Sequence, residues 1–174
     1  MRIKKISTPF NFILFQVGWL ACILGAANNY EWLGPILVAI IVPLQIYLLT
    51  ESYKEEAFFV IICGITGFLL ETILIVGNVY TPAGQLEAWF CPPWMAALWF
   101  NFAMLVSISL SWLKEKYLLA AILGGIAGPV AYWGGEKLGA ITVADAFWEG
   151  YFPLVLLWAL AMPFLVYTHN KLNR

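Results

Sequence analysis

Six stretches of this chain run almost without charge, and each is close to the ~20 residues a helix needs to cross a bilayer core. They are 10–28, 33–50, 57–77, 94–113, 117–135 and 148–168. Hydrocarbon offers no partners to free backbone groups, so such runs must close their hydrogen bonds internally as helices. A barrel would need alternating ten-residue strands, which continuous apolar runs do not provide. Composition agrees: 63% of the 174 residues are apolar and 11% charged, against about 25% charged in a soluble domain. The expected fold is an all-α membrane protein, a single polytopic domain over 1–174 with six transmembrane helices. Its natural surroundings are membrane lipids.

Basic residues set the expected orientation, because Lys and Arg in short connections resist translocation. Arg2, Lys4, Lys5, Lys54, Lys114, Lys116, Lys171 and Arg174 fall on one side of the six spans, and Lys137 alone on the other. Both termini are therefore expected in the cytoplasm, as an even number of spans requires. The opposite face carries Glu31, Glu87, Glu136, Asp145 and Glu149. The first span follows a basic start, but its apolar run exceeds the ~7–15 residues of a signal-peptide core, so it reads as a span rather than a leader.

Glu71 is the one charge-capable side chain well inside a span. It stands six residues before Gly77, about 9 Å below the outer boundary. A carboxyl at that depth costs a few kcal/mol unless neutral, paired or hydrated. It marks either an interior site or a neutral Glu that hydrogen-bonds a neighbouring helix. Asn101 lies at a similar depth in the next span, and the pair is expected to share a hydrogen bond. Tyr132 and Glu136 follow one face of span five, and Asn29 ends a stripe of span one at the same rim. Glu71, Asn101, Tyr132, Glu136 and Asn29 thus form a candidate outward-facing polar pocket. Gln16 and Gln45 read as interhelical hydrogen bonds.

Small residues form helix-packing stripes: Gly18 and Gly25 in span one, Gly64 and Gly67 two turns and one turn before Glu71, and Gly124, Gly125 and Gly128 in span five, where Gly124 and Gly128 make a GxxxG pair. Pro129 is expected to bend span five. Trp32, Trp89, Trp94, Trp133 and Trp148 read as interfacial anchors at the outer boundary, with Trp112 at the inner one. The connection 78–93, rich in Pro and Gly and carrying Trp89 and Phe90, is expected on the membrane surface.

Several chemistries lack their residues. His169, the single histidine, falls after span six and reads as a solvated tail residue, leaving no histidine for a triad or metal cluster at membrane depth. No metal site, cofactor or nucleotide fingerprint is indicated, and a net charge of −1 gives no field for nucleic acid. Cys22 and Cys63 read as buried packing residues and Cys91 as a surface-loop thiol.

The segments Asn11-Phe12, Gln16-Val17-Gly18-Trp19, Cys22, Gly25-Ala26-Ala27 and Trp32-Leu33-Gly34-Pro35 resemble a bacterial membrane family, domain of unknown function 2878. Pro93-Trp94-Met95, Ala97-Leu98-Trp99 and Gly124 to Gly128-Pro129 with Ala131-Tyr132 are similar to its later segments. The resemblance implies a small bacterial inner-membrane protein and brings no activity, catalytic residue or cofactor with it. Three functions fit the residues. A non-enzymatic protein that binds a small or lipid-like molecule or a partner helix needs the fewest assumptions. An intramembrane lipid-modifying enzyme would use Glu71 as acid or base with Asn101 orienting the substrate, yet no nucleophile-base pair accompanies them. A small-solute transporter would need polar groups at several depths, and Ser107, Ser109 and Ser111 are spaced to point apart on a helix.

Overall fold

The computed structural model describes residues 2–84 and 90–173. Six helices carry the chain: α1 (Arg2–Ala27), α2 (Leu33–Leu49), α3 (Tyr53–Val76), α4 (Pro93–Met104), α5 (Tyr117–Lys137) and α6 (Tyr151–Leu172). Ser7–Ala27 of α1, together with α3, α5 and α6, is long and apolar enough to cross a membrane. The apolar segments Leu33–Leu49 and Pro93–Ser109 are shorter. The first stops because Thr50 turns extended, its hydroxyl donating back to the Ile46 carbonyl. In the second, α4 widens after Met104 into a π-helical turn (Leu105–Ser109) and then a 3-10 turn (Ser111–Leu113). The span expected over 94–113 is therefore a 12-residue α-helix with an irregular tail. Pro129 sits within α5, which continues as one helix to Lys137.

Three helices leave the bundle at the same end by the same device. Asn29, Asn78 and Gly139 adopt left-handed φ of 63°, 56° and 81° just after α1, α3 and α5. At each, the following amide reaches back five residues to a helix carbonyl: Tyr30 to Gly25, Val79 to Leu74 and Ala140 to Gly135. This satisfies carbonyls that a helix terminus leaves open, and Asn and Gly are the residues that tolerate the conformation. Asn29 is thus an exposed helix terminator.

After two of these turns the chain forms a feature absent from the sequence reading, an antiparallel ribbon of β1 (Tyr80–Pro82) and β2 (Ile141–Val143), with Tyr80 opposite Val143. Part of the connection expected on the membrane surface therefore folds inward. Tyr80 and Cys91 are 1% and 2% exposed, and burial pushes the Cys91 thiol up from its ordinary pKa. Trp89 and Glu87 lie outside the described residues. Trp32, Trp133 and Trp148 are exposed as interfacial anchors would be, as is Trp112, but Trp94 is fully buried in the core.

Packing between helices depends on the glycines. A Cβ on Gly128 would overlap the Trp158 ring of α6, and one on Gly124 would strike the Trp158 carbonyl and Met162. Gly125 is different: its Cβ would stand at an ordinary 3.5 Å from Ala159 and Val155. Gly34 of α2 lies directly against Cys22 of α1. In thermal unfolding of the detergent-solubilised protein, Gly128→Ala is expected to cost about 1–3 kcal/mol through overpacking, while Gly125→Ala leaves the midpoint near wild type. Equal effects would contradict this account of the α5–α6 contact.

Candidate functional site

Glu71 faces the interior from α3 and is 1% exposed. The small-residue stripe below it explains its neighbours. A Cβ on Gly67 would fall within the Trp99 indole and one on Gly64 within the Phe100 ring, so these glycines seat the aromatic face of α4 directly on α3. Trp99 then donates its Nε1–H to Glu71 Oε1 at 2.8 Å. Its backbone carbonyl is held in turn by the Cys63 thiol, 3.3 Å away. Tyr132 of α5 donates its hydroxyl to the same oxygen, and Tyr80, carried inward by the ribbon, donates to Oε2 at 2.7 Å. The two tyrosine rings meet edge to face, with centroids 5.5 Å apart. Burial, and then the adjacent carboxyl, raise the Tyr80 pKa well above its ordinary value, so its phenol remains a donor.

Three donors from three elements thus converge on one carboxyl group, and no Lys, Arg or His joins them among the described residues. The expected Glu71–Asn101 bond is not formed. Asn101 points to the other side of α4 and donates to the Phe15 carbonyl of α1 at 2.9 Å, over Gly18, where a Cβ would leave it no room. Gly25 serves the α1 terminus, because a Cβ there would crowd the Tyr30 carbonyl. Glu136 does not reach Glu71. Its carboxyl accepts the Val143 amide and the Tyr151 hydroxyl, both at 3.0 Å, and so pins β2 and the start of α6 to α5. Of the five candidate residues, the structure brings together Glu71 and Tyr132.

The Glu71 cluster closes one end of a cavity of about 450 Å³. Phe15, Trp19 and Ile23 of α1 form one wall, and Leu123, Ala127, Ala131 and Gly135 of α5 the other. The floor includes Phe102 of α4 and Trp158 of α6, whose indole stacks on Trp99 with centroids 5.0 Å apart and planes 14° apart. α1 and α5 face each other across this space and meet near the ribbon. There the Trp19 ring lies 3.6 Å from the position of a Cβ on Gly134, and Ile23 lies 3.5 Å from one on Gly135. Farther down the walls separate and Ala127 and Ala131 are exposed. The space is a cleft, roofed at its polar end and open sideways along an apolar surface. From Leu123 to Gly135 it extends about 18 Å at the helical rise, comparable to the depth of one leaflet.

Two further polar groups join helices at the opposite end. Asn11 of α1 donates to Gln45 Oε1 at 2.6 Å and to the Met104 carbonyl at 3.1 Å, where α4 enters its π-helical turn, and accepts from Ser109. Gln45 is thus an interhelical bond as expected, whereas Gln16 is exposed. His169 is not a solvated tail residue: α6 runs on to Leu172, placing the imidazole edge-on to Phe59 and 3.5 Å from the buried Glu56 carboxylate. Among the described residues no group of three His, Cys, Asp or Glu is placed to hold a metal.

Tyr80, Trp99 and Trp158 were missed by sequence reasoning. Trp99 carried a signal, since it follows Met95 by one helical turn on the face opposed to Gly64 and Gly67. Tyr80 carried none, because the ribbon that turns it inward pairs it with Val143, 63 positions along the chain.

Residues 8–164 match the profile of a family described as a protein of unknown function, domain of unknown function 2878. The chain belongs to this family. No curated protein and no solved structure matches it. The family match takes in all three donors as well as Glu71 and the two walls of the cleft.

Removing the acceptor strands more donors than removing one donor does. Glu71→Ala leaves Tyr80, Trp99 and Tyr132 without their partner, at about 1–3 kcal/mol for each group that stays buried. Its unfolding temperature is expected to fall well below that of Tyr80→Phe, which removes a single bond. Similar values for the two variants would contradict the convergent arrangement.

Proposed function

We propose that this protein is a bacterial inner-membrane protein with six membrane-crossing segments and both ends in the cytoplasm, and that it binds one lipid-like molecule in the cleft between α1 and α5. Support for the orientation comes from the eight-to-one division of basic residues, with Lys137 alone at the ribbon end. The two shorter segments lie at the lower limit of spanning length, at about 25 Å for 17 residues. The bacterial setting rests on the family resemblance.

The observation that carries the binding function is the sideways opening. An apolar space of this volume falls within the ~300–1,000 Å³ range of small-molecule sites, and its wall is interrupted where the surrounding medium would be acyl chains. A membrane-dissolved molecule can enter between α1 and α5 without crossing water, carrying a polar end toward Glu71. The roof of Trp19, Ile23 and the ribbon keeps that end from the aqueous face.

Native mass spectrometry of the protein extracted in mild detergent tests this reading. The wild type is expected to retain one co-purifying amphiphile per chain. Ala127→Phe and Ala131→Phe, which fill the exposed wall of the cleft without touching the Glu71 bonds, are expected to lose it while melting near the wild-type temperature. Retention of the same molecule by both variants would contradict the assignment.

A further inference from the structure

The end of the bundle opposite the Glu71 cluster holds a second, smaller space. It is a pocket of about 110 Å³, lined by Tyr117 at the start of α5 and by Tyr167, Asn170 and Lys171 at the end of α6. This is room for about three or four waters at ~30 Å³ each, and so for one phosphate group. Asn170 is 6% exposed, yet its Nδ2 has no hydrogen-bond partner. A buried donor left open is unfavourable, and this one belongs to a residue that borders the pocket. The pocket shares no lining residue with the cleft between α1 and α5.

The surrounding groups favour an anion. Lys171 supplies a full positive charge, Asn170 an amide donor, and Tyr117 and Tyr167 hydroxyls able to donate. Helix α5 begins at this pocket without a side-chain cap, so its first amides and the positive end of its dipole lie at the same place. Lys116 adds a cation one residue earlier, its ammonium 5.6 Å from the centre of the Trp112 ring. Neither neighbouring carboxylate lines the pocket: Glu56 faces His169, and Glu115 lies on the turn before α5.

An apolar track leads to the pocket along α6. Leu160, Phe164, Tyr167 and Lys171 recur at i, i+4, i+7 and i+11, the spacing of one helix face, and all four are exposed. Such a stripe, ending in tyrosine and lysine, matches an acyl chain that ends in a negative head at the membrane–water boundary. Basic pockets between helices on the cytoplasmic side are suited to anionic headgroups. We propose that this pocket binds the phosphate group of an anionic membrane lipid, with Lys171 and Asn170 donating to its oxygens and a chain of the lipid lying along α6. The site does not depend on what fills the cleft.

A lipid at this open site exchanges during extraction, so the test adds it back. Dioleoylphosphatidylglycerol, or dioleoylglycerol without the phosphate, is titrated into the full-length protein in mild detergent, and bound lipid is counted by native mass spectrometry. The phosphatidylglycerol is expected to bind about tenfold more tightly or better, and Lys171→Gln to weaken it by about tenfold through loss of a charged hydrogen bond. Lys171 is exposed, so this variant reports binding without a folding defect. Asn170→Leu is expected to weaken the same lipid several-fold. Lys54→Gln, which removes a basic residue outside the pocket, and Ala131→Phe, which fills the cleft, are expected to bind it as the wild type does. Equal binding of the two lipids, or wild-type binding by both Lys171→Gln and Asn170→Leu, would overturn the phosphate site. Loss of binding in Ala131→Phe alone would place the lipid in the cleft instead. Full displacement by millimolar inorganic phosphate would overturn the lipid as its source in favour of the free ion.

Discussion

A carboxyl group buried among apolar helices must find donors, and the way Glu71 finds them organises the ribbon-facing half of the molecule. Trp99, Tyr132 and Tyr80 come from α4, α5 and the β1 strand, so the cluster ties three elements to α3 at one point. Each contact requires a local arrangement of its own. Gly64 and Gly67 let α4 lie directly on α3, the left-handed turn at Asn78 sends β1 back over the bundle, and Glu136 fixes the strand that pairs with it. In water such a carboxyl would be hydrated at little cost. At membrane depth its need for partners becomes a structural constraint.

Helix packing accounts for the cleft. α5 packs along α6 through Gly124 and Gly128, and α1 packs on α2 through Gly34, so each is committed to a different neighbour. Between them the wide aromatic floor of Trp99, Phe102 and Trp158 keeps the walls apart, and Trp19 and Ile23 bridge only the polar end. Small residues on α5 therefore have two effects: on one side they admit α6, and on the other Ala127 and Ala131 leave a wall with little side-chain volume. The sequence stripe alone suggested only the first.

The sequence made legible whatever depends on local pattern. Charge-free runs of helical length located all six helices, and periodicity placed Gly64, Gly67 and Glu71 on one face and Tyr132 on the inward face of α5. Depth alone could not pair Glu71 with the right partner. Asn101 matches it in height but lies on the side of α4 that faces α1, and the register of a π-helical or α-helical face relative to a neighbour is set by packing. Tyr80 was hidden because its position depends on a long-range ribbon. Asn29 was misread because a terminal Asn can be either a binding group or a left-handed helix terminator, and only backbone geometry separates the two. His169 and Glu56 met because α6 continues past the apolar run that marked its span.

A carboxyl cluster sealing one end of a cleft, with Ala127 and Ala131 exposed along its wall, is the centre of the structure. The most direct measurement is an experimental density map of the protein in nanodiscs of its native lipids. The account predicts elongated density between α1 and α5, ending within hydrogen-bond distance of Glu71 and passing Ala127 and Ala131. Direct packing of α1 on α5 with no space between them, or a helix from a second copy filling the cleft, would contradict it.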